Sequence, residues 1–180
     1  ALRDIARYPE PDAGGLKAAL ARFLGVEEGG LMLDNSATEL IHHLVRCVAA
    51  RKGRAGGEAG SSSPGKAHGV VAGHGLRVAV TVPAFGEYER AARIAGAEVV
   101  FHPLDHRDGF DLDAPRLAAT AAGCDLTFFC NPASPTGRLY ERRRLLRVLE
   151  ACREGGGTLV LDESFMGFCP EREAAGATLI

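Results

Sequence analysis

The chain has 180 residues, 46% of them hydrophobic, and its 21 Lys and Arg side chains nearly balance 23 Asp and Glu side chains, so the formal charge is −2. This balance gives no field that would attract nucleic acid or an anionic membrane, and no apolar stretch approaches the roughly 20 residues of a membrane helix. We therefore expect a cytoplasmic protein without nucleic-acid or membrane partners. The five widely spaced cysteines and six histidines have no metal-ligand spacing, so no metal is expected.

The first part of the chain predicts two helices separated by a short strand. Apolar residues recur at helical spacing from Leu16 to Leu24, and Gly25 follows where a left-handed C-terminal cap would fall. The run Leu31–Leu33 predicts a short buried strand. Four apolar residues at helical spacing predict the inner face of a second helix, namely Ile41, Leu44, Val45 and Val48. Residues 52–75 are rich in Gly, Ser and Ala without periodicity, which is typical of a surface insertion.

From residue 77 onward, predicted strands alternate with predicted helices. The strands are Arg77–Val82, Glu98–Phe101, Leu126–Cys130 and Thr158–Leu161, and the helices are Glu87–Ala95, one capped by Asp113 with Pro115 in its first turn, and one containing Leu145, Leu146 and Leu149. Strands that alternate with helices imply an α/β fold with a largely parallel sheet.

Polar residues follow two of these strands directly. Asp162 ends the last strand, and the loop CNPASPTG (residues 130–137) follows the preceding strand. In open α/β sheets the ligand lies outside the carboxyl ends of the strands, so this arrangement predicts a bound cofactor. A partly buried Asp162 needs a cation, and a protonated pyridine nitrogen would serve. Its alternative role is to cap the following helix.

The segment from Asn35 to Glu39 begins the second helix and predicts a phosphate site. Backbone amides near Ser36, Ala37 and Thr38 would point outward with the positive end of the helix dipole, beside two hydroxyl groups. The alternative is structural, because Ser36 and Glu39 have the spacing of a capping box.

Three further residues at strand ends are candidate ligands of a flat ring. Phe85 could stack on such a ring, or it could be an ordinary core residue at the sheet edge. Asn131 and Ser134 each directly precede a proline of a stiff loop, which suits the orientation of a ligand, although an Asn-Pro turn alone is common.

Five blocks of sequence resemble the class I/II aminotransferase-fold enzymes in order and approximate spacing. They are ARYPEP (6–11), NSATEL (35–40), PAFGEYERA (83–91), CNPASPTG (130–137) and LVLDESFMGF (159–168). The resemblance is greatest to the branch that contains threonine-phosphate decarboxylase of cobalamin biosynthesis and histidinol-phosphate aminotransferase. It implies a three-layer αβα large domain of fold type I, a pyridoxal phosphate cofactor, a small phosphorylated amino acid as substrate and a homodimer.

The resemblance also assigns roles to residues. Ser36, Ala37 and Thr38 would hold the cofactor phosphate, Phe85 would stack on the ring, and Asp162 would pair with the pyridinium nitrogen. Tyr8 resembles the tyrosine that reaches the phosphate of the neighbouring subunit, although it could simply anchor a Tyr-Pro turn.

Two positions depart from the family pattern. Ser134 stands where an asparagine usually bonds the ring oxygen of the cofactor, and Phe165 stands where many members have a tyrosine. Threonine-phosphate decarboxylases also have Phe there, which favours that reading over the alternative, a histidinol-phosphate or other aminotransferase.

The family lysine that forms the Schiff base has no counterpart here, since Lys17, Lys52 and Lys66 precede every matching position. The resemblance therefore implies an N-terminal arm and helix (1–30) and an incomplete large domain (31–180). The rest of that domain and the small domain would be absent, and we expect the isolated chain to contain no catalytic residue and to be inactive.

Functions of other classes remain as alternatives. GSSSPGK (60–66) and LVLDE (159–163) imitate the signatures of a P-loop ATPase, but Ala67 replaces the residue that binds magnesium and no apolar strand precedes Gly60. A non-catalytic domain, or a half-enzyme that depends on a partner, is the other alternative.

Overall fold

The computed structural model describes residue 8, residues 10–55 and residues 75–180. It divides into two compact units, one of residues 1–40 with Ile180 and the other of residues 41–179. None of the helices in the described ranges is long and apolar enough to cross a membrane.

The first unit contains the predicted first helix, α1 (Gly14–Leu24). It ends at Gly25 in the left-handed conformation (φ 69°), as the sequence predicts. A short 3₁₀ helix (Glu28–Gly30) follows. The strand predicted at Leu31–Leu33 is wrong, because this segment pairs with no strand in the described residues and Met32 is exposed. An apolar triplet forms a strand only where a neighbour completes its hydrogen bonds.

The second predicted helix, α2, spans Ala37–Ala55. Its buried face contains Ile41, Val45 and Ala49. The predicted insertion therefore begins too early, since residues 52–55 continue the helix, and residues 56–74 lie outside the described part of the chain.

The second unit contains a parallel sheet of four strands in the order β2-β1-β3-β4. The strands are β1 (Arg77–Val82), β2 (Glu98–Pro103), β3 (Leu126–Cys130) and β4 (Thr158–Asp162). All four were predicted within two residues at each end. The strands are parallel because a helix connects each one to the next, which confirms the α/β class.

The connecting helices are α3 (Gly86–Ile94), α4 (Ala114–Ala121) and α5 (Arg142–Glu154), and the short helix α6 (Glu171–Ala175) follows β4. The carboxylate of Asp113 accepts a hydrogen bond from the backbone amide of Arg116 at 3.1 Å, which confirms the predicted cap of α4. It satisfies an amide that has no partner within the helix.

Two apolar cores cover the two faces of the sheet. Phe128 belongs to a core that includes residues of α2 and α3, whereas its neighbour Phe129 belongs to a core that includes residues of α4 and α5. Adjacent residues of a strand point to opposite faces, so helices lie on both sides of the sheet. This is the three-layer αβα arrangement that the resemblance implies.

The glycines before β4 are required by close packing. A Cβ atom on Gly157 would overlap the backbone carbonyl of Cys124, which precedes β3, and a Cβ atom on Gly155 would overlap that of Ala122. The Gly155–Gly157 run thus lets the end of α5 pass directly over the turn that leads into β3.

Candidate functional site

The ends of β3 and β4 lie side by side. Cys130 and Asp162 are partners in the register of the two strands, and the backbone amide of Asn131 donates to the carbonyl of Asp162 at 2.9 Å. The strand end that carries Asp162 and the start of the CNPASPTG loop therefore form one edge of the sheet, as the sequence predicts.

The Asp162 carboxylate is half-buried, and hydrogen bonds hold both of its oxygens. Oδ1 accepts from the backbone amide of Ser164 at 2.9 Å and from its hydroxyl at 2.6 Å, while Oδ2 accepts from the Tyr88 hydroxyl at 2.6 Å. Asp162 thus caps a turn and not a helix, since α6 begins only at Glu171. In the described ranges, no Lys, Arg or His side chain forms an ion pair with Asp162.

Tyr88 is a site residue that the sequence analysis missed. Its ring is 1% exposed and stacks on Phe128, with centroids 4.9 Å apart and planes inclined by 10°. Burial, followed by the hydrogen bond to Asp162, raises the pKa of the Tyr88 hydroxyl far above its usual value, so the hydroxyl stays protonated and donates. The spacing of Phe85 and Tyr88, three residues apart at a helix start, was the available signal.

Phe85 is not a core residue. It lies between the end of β1 and the start of α3, and it is 44% exposed. Its ring meets that of Tyr88 edge to face, with centroids 5.9 Å apart. One side of the Phe85 ring is therefore fixed by protein and the rest is open to a ligand.

The predicted ligand role of Asn131 needs correction. Its side chain is fully buried, and its Nδ2 donates to the backbone carbonyls of Tyr140 at 3.0 Å and Ala177 at 3.1 Å. Its Oδ1 accepts from the backbone amide of Tyr140 at 2.8 Å. Both amide hydrogens are used inside the protein, so Asn131 holds the loop in place and does not face a ligand.

Ser134 and Phe165 lie together, although 31 positions separate them in the sequence. Both line a cavity of about 380 Å³, together with Pro135, Phe168 and Cys169. The two positions that depart from the family pattern therefore belong to one surface, which is mainly apolar.

The predicted phosphate residues lie in the first unit, at the start of α2. The hydroxyl oxygen of Ser36 accepts from the backbone amide of Glu39 at 3.3 Å, which is one of the two bonds of a capping box. Because the Ser36 hydroxyl is the acceptor in this bond, its hydrogen remains available to donate to a ligand. Ser36 and Ala37 are exposed, and the amides that open a helix have no acceptor within it. Tyr8 is completely exposed.

Lys52 is structural. Its ammonium group donates to both oxygens of Asp125, at 2.6 and 2.8 Å, and to the carbonyl of Gly75 at 2.6 Å. Asp125 precedes β3 and Gly75 precedes β1, so Lys52 lies at the amino-terminal ends of the parallel strands. Asp162 lies at the opposite, carboxyl-terminal ends.

Another cavity lies away from these residues. It has a volume of about 510 Å³ and is lined by Asp111 and other residues of the segment that leads into α4, and by Arg144 and Arg147 of α5. Asp111 and Arg144 form a two-pronged ion pair at 2.6 and 2.9 Å, so much of the charge there is already neutralised.

The model of a known family, "Aminotransferase class I and II", matches residues 1–180. The chain belongs to this family. A family match over every residue agrees with the five motif blocks and with the parallel sheet, and it makes the chain a member of an enzyme family.

Two curated relatives show where in the aminotransferase family the chain falls. A histidinol-phosphate aminotransferase from Desulfitobacterium hafniense is 33% identical over 171 residues, which cover 92% of this chain and 40% of that protein. A threonine-phosphate decarboxylase from Salmonella typhimurium is 30% identical over 166 residues, which cover 92% of this chain and 39% of that protein. The chain spans about 40% of the length of these relatives.

Solved structures of the same two kinds of enzyme resemble the chain in fold. The L-threonine-O-3-phosphate decarboxylase of Porphyromonas gingivalis superposes with a TM-score of 0.66 and 30% identity, over 95% of this chain and 42% of that one. The histidinol-phosphate aminotransferase of Sinorhizobium meliloti, solved with pyridoxal-5′-phosphate, has a TM-score of 0.71 and 23% identity, over 97% of this chain and 40% of that one. The second likeness concerns the fold alone.

Proposed function

We propose that this chain is part of a pyridoxal-phosphate-dependent enzyme that acts on a small phosphorylated amino acid, most like threonine-phosphate decarboxylase of cobalamin biosynthesis. Two of its curated relatives are named for phosphorylated substrates. The proposal retains the homodimer, with Tyr8 reaching the neighbouring subunit, and the cytoplasmic location. The alternative within the family is a histidinol-phosphate aminotransferase.

The observation that carries the proposal is the state of the Asp162 carboxylate. An ionised carboxylate has about four lone-pair sites. Three are used by Ser164 and Tyr88, which leaves one position for a further donor. A half-buried carboxylate without a cationic partner in the described part of the chain is well matched to the N–H⁺ of a pyridinium ring.

The donor set of Asp162 and Phe85 fits pyridoxal phosphate in chemical character. Phe85 offers a half-exposed aromatic face for a flat ring, and aromatic pairs contribute about 0.5–1.5 kcal/mol beyond their area burial. Bound pyridoxal phosphate supplies an aromatic ring that accepts electrons from a substrate carbon, and a protonated nitrogen increases that capacity. Asp162 would keep the proton on that nitrogen.

The start of α2 supplies groups that suit a phosphate. Ser36 accepts one internal hydrogen bond and keeps its hydroxyl hydrogen for an anion. Thr38 adds a second hydroxyl, and the first amides of a 19-residue helix add the positive end of its dipole. These groups support the proposed roles of Ser36, Ala37 and Thr38 in binding the cofactor phosphate.

Phe165 favours the decarboxylase within the family, because the resemblance implies that threonine-phosphate decarboxylases have Phe where many other members have Tyr. A phenyl ring donates no hydrogen bond, so of the two departing residues only the Ser134 hydroxyl could reach the ring oxygen of the cofactor. The cavity that they share is mainly apolar, consistent with a wall that packs against a ligand.

Glu163 weighs against the P-loop ATPase reading. Its Oε2 accepts from the Thr178 hydroxyl at 2.8 Å and its Oε1 accepts from the backbone amide of Leu179 at 3.1 Å. The carboxylate that would activate water in an ATPase is therefore used to bind a later segment. The other half of the imitation, residues 60–66, lies outside the described residues.

A ligand titration tests the phosphate part of the proposal. Deoxypyridoxine phosphate lacks the aldehyde and cannot react with lysine, and its dephosphorylated form lacks the anion. We expect Thr38→Val to weaken binding of the phosphorylated compound by about tenfold to a hundredfold, the effect of one hydrogen bond to a charged group, and to leave the affinity for the dephosphorylated compound unchanged.

Thr120→Val is the matched control, since Thr120 is also a helical threonine and its hydroxyl only donates to the Arg116 carbonyl at 3.1 Å. The proposed function fails if the wild-type chain does not bind the phosphorylated compound, or if both Thr38→Val and Asp162→Asn leave its affinity unchanged.

A further inference from the structure

The hydroxyl group of Tyr88 is in direct contact with the carboxylate of Asp162, the group that the proposed function pairs with the ring nitrogen of the cofactor. It donates a hydrogen bond to Asp162 Oδ2 at 2.6 Å. We propose that Tyr88 is a positioning residue that fixes the direction of the Asp162 carboxylate toward the pyridinium nitrogen of the cofactor. This inference rests on the proposed function.

The Tyr88 ring has little freedom to move. It is almost fully buried, stacks on Phe128 in the centre of the sheet and meets Phe85 edge to face. Phe128 is itself 1% exposed, on a strand paired on both sides. The hydroxyl is therefore presented from a rigid base, and the same ring also supports Phe85, the residue proposed to stack on the cofactor.

The contacts on Asp162 come from two directions. Ser164, two residues further along the chain, holds Oδ1, and its loop moves with Asp162 itself. Tyr88 lies on α3, 74 residues earlier, and holds Oδ2. Among the described residues, Tyr88 provides the one hydrogen bond that ties this carboxylate to another element, so this contact fixes the orientation of the carboxylate relative to α3 and Phe85.

The Tyr88 hydroxyl acts on Asp162 as a hydrogen-bond donor. Burial, followed by the hydrogen bond to Asp162, raises the pKa of the Tyr88 hydroxyl, so the phenol keeps its proton and donates it toward Oδ2. With Ser164 on Oδ1 and Tyr88 on Oδ2, the remaining lone-pair position of the carboxylate has a fixed direction in which the ring nitrogen can donate.

Two ligands distinguish positioning of Asp162 from a general structural role. One is deoxypyridoxine phosphate, and the other is its carbocyclic counterpart with C–H in place of the ring nitrogen. If Tyr88 acts through Asp162 on that nitrogen, Tyr88→Phe weakens binding of the nitrogen ligand by about tenfold. This is less than the full value of a charge-assisted hydrogen bond, because Asp162 is still present and held by Ser164. The affinity for the carbocyclic ligand changes by less than about twofold.

Tyr140→Phe is the matched control. Tyr140 is also 1% exposed, and its hydroxyl donates to the Phe110 carbonyl at 2.6 Å, so the substitution removes a similar hydrogen bond from the other core. We expect it to lower stability without changing the affinity for either ligand. Urea unfolding of both variants records their loss of stability, and titration is carried out where each is folded.

The outcomes separate the inference from the function on which it rests. Equal weakening of both ligands by Tyr88→Phe would make its role structural and overturn the inference. The inference is also overturned if Tyr88→Phe binds the nitrogen ligand normally while Asp162→Asn selectively weakens its binding. In that case the proposed function stands. If the wild-type chain binds neither ligand, the proposed function and the inference both fail.

Discussion

The backbone amide of Asn131 donates to the backbone carbonyl of Asp162 at 2.9 Å, immediately beyond the paired residues Cys130 and Asp162. This bond continues the ladder between β3 and β4 into the first residue of the CNPASPTG loop. The loop and the carboxylate consequently have a fixed spacing, which is set by the backbone and not by side chains.

Asn131→Ala should destabilise the protein by about 2–4 kcal/mol, because three buried backbone groups lose the partner that its amide provides. Urea unfolding followed by circular dichroism measures this change. Asn131→Asp keeps the acceptor for Tyr140 but loses both donors, so it should also be destabilised. A variant with wild-type stability and impaired ligand binding would return Asn131 to its originally predicted role.

Gly157→Ala should cost about 2–3 kcal/mol or more, because the new methyl group would overlap the Cys124 carbonyl, and backbone cannot move aside as a flexible side chain does. Gly167→Ala is the matched control, since a Cβ atom there meets no atom within 4 Å. Thermal unfolding of the two variants compares them directly. Equal melting temperatures would show that the turn before β4 is not tightly packed.

His102 should make stability fall as the solution is acidified below about pH 6.5. Burial, reinforced by the charge of Arg116 and opposed by that of Asp113, lowers its pKa from 6.5 in the folded state. The unfolded chain then binds the proton first as the pH falls, so stability is lost between pH 6.5 and the folded pKa and changes no further below it.

The slope of unfolding free energy against pH measures the His102 contribution, with His102→Gln as the comparison. The variant should have a flatter slope in the pH range directly below 6.5, whatever its absolute stability. NMR titration of the His102 ring gives the folded pKa itself. A value at or above 6.5 would contradict the account.

The 180-residue chain should bind the cofactor without catalysing turnover of threonine phosphate or histidinol phosphate. By the resemblance, turnover needs a lysine at the cofactor. The ammonium of Lys52 is held by Asp125 at the amino-terminal ends of the strands, and Asp162 lies at their carboxyl-terminal ends. Release of carbon dioxide and transfer of the amino group are measured against free pyridoxal phosphate, with Lys52→Met as a control. Turnover above the free cofactor would contradict this prediction.

The sheet could be predicted because its strands carry a local signal. Every residue of β3 is buried, so the strand is a continuous run of mostly apolar residues. The ends of this run, Leu126 and Cys130, coincide with the ends of the strand. The same reasoning failed at Leu31–Leu33, where the apolar residues have no neighbouring strand in the part of the chain that the structure describes. It also ended α2 too early, since Lys52 and Gly53 look like loop residues until the pairing of Lys52 with Asp125 is known.

The candidate site could be predicted only in part, for a similar reason. Asp162 and Phe85 stand at strand ends, which the sequence reveals. The hydrogen bond from Tyr88 to Asp162 joins residues 74 positions apart, and the bond from Asn131 to Ala177 joins residues 46 positions apart. The spacing of Phe85 and Tyr88 could have drawn attention to Tyr88, but no local pattern predicts that its partner is Asp162 or that the amide of Asn131 is used inside the protein.

The most direct test of the central claim is a crystal structure of the chain with deoxypyridoxine phosphate bound. The account predicts the ring nitrogen within hydrogen-bond distance of an Asp162 oxygen, the ring against Phe85, and the phosphate on the amides and hydroxyls of Ser36, Ala37 and Thr38. A ligand bound with its ring nitrogen away from Asp162, or with its phosphate away from the start of α2, would contradict it.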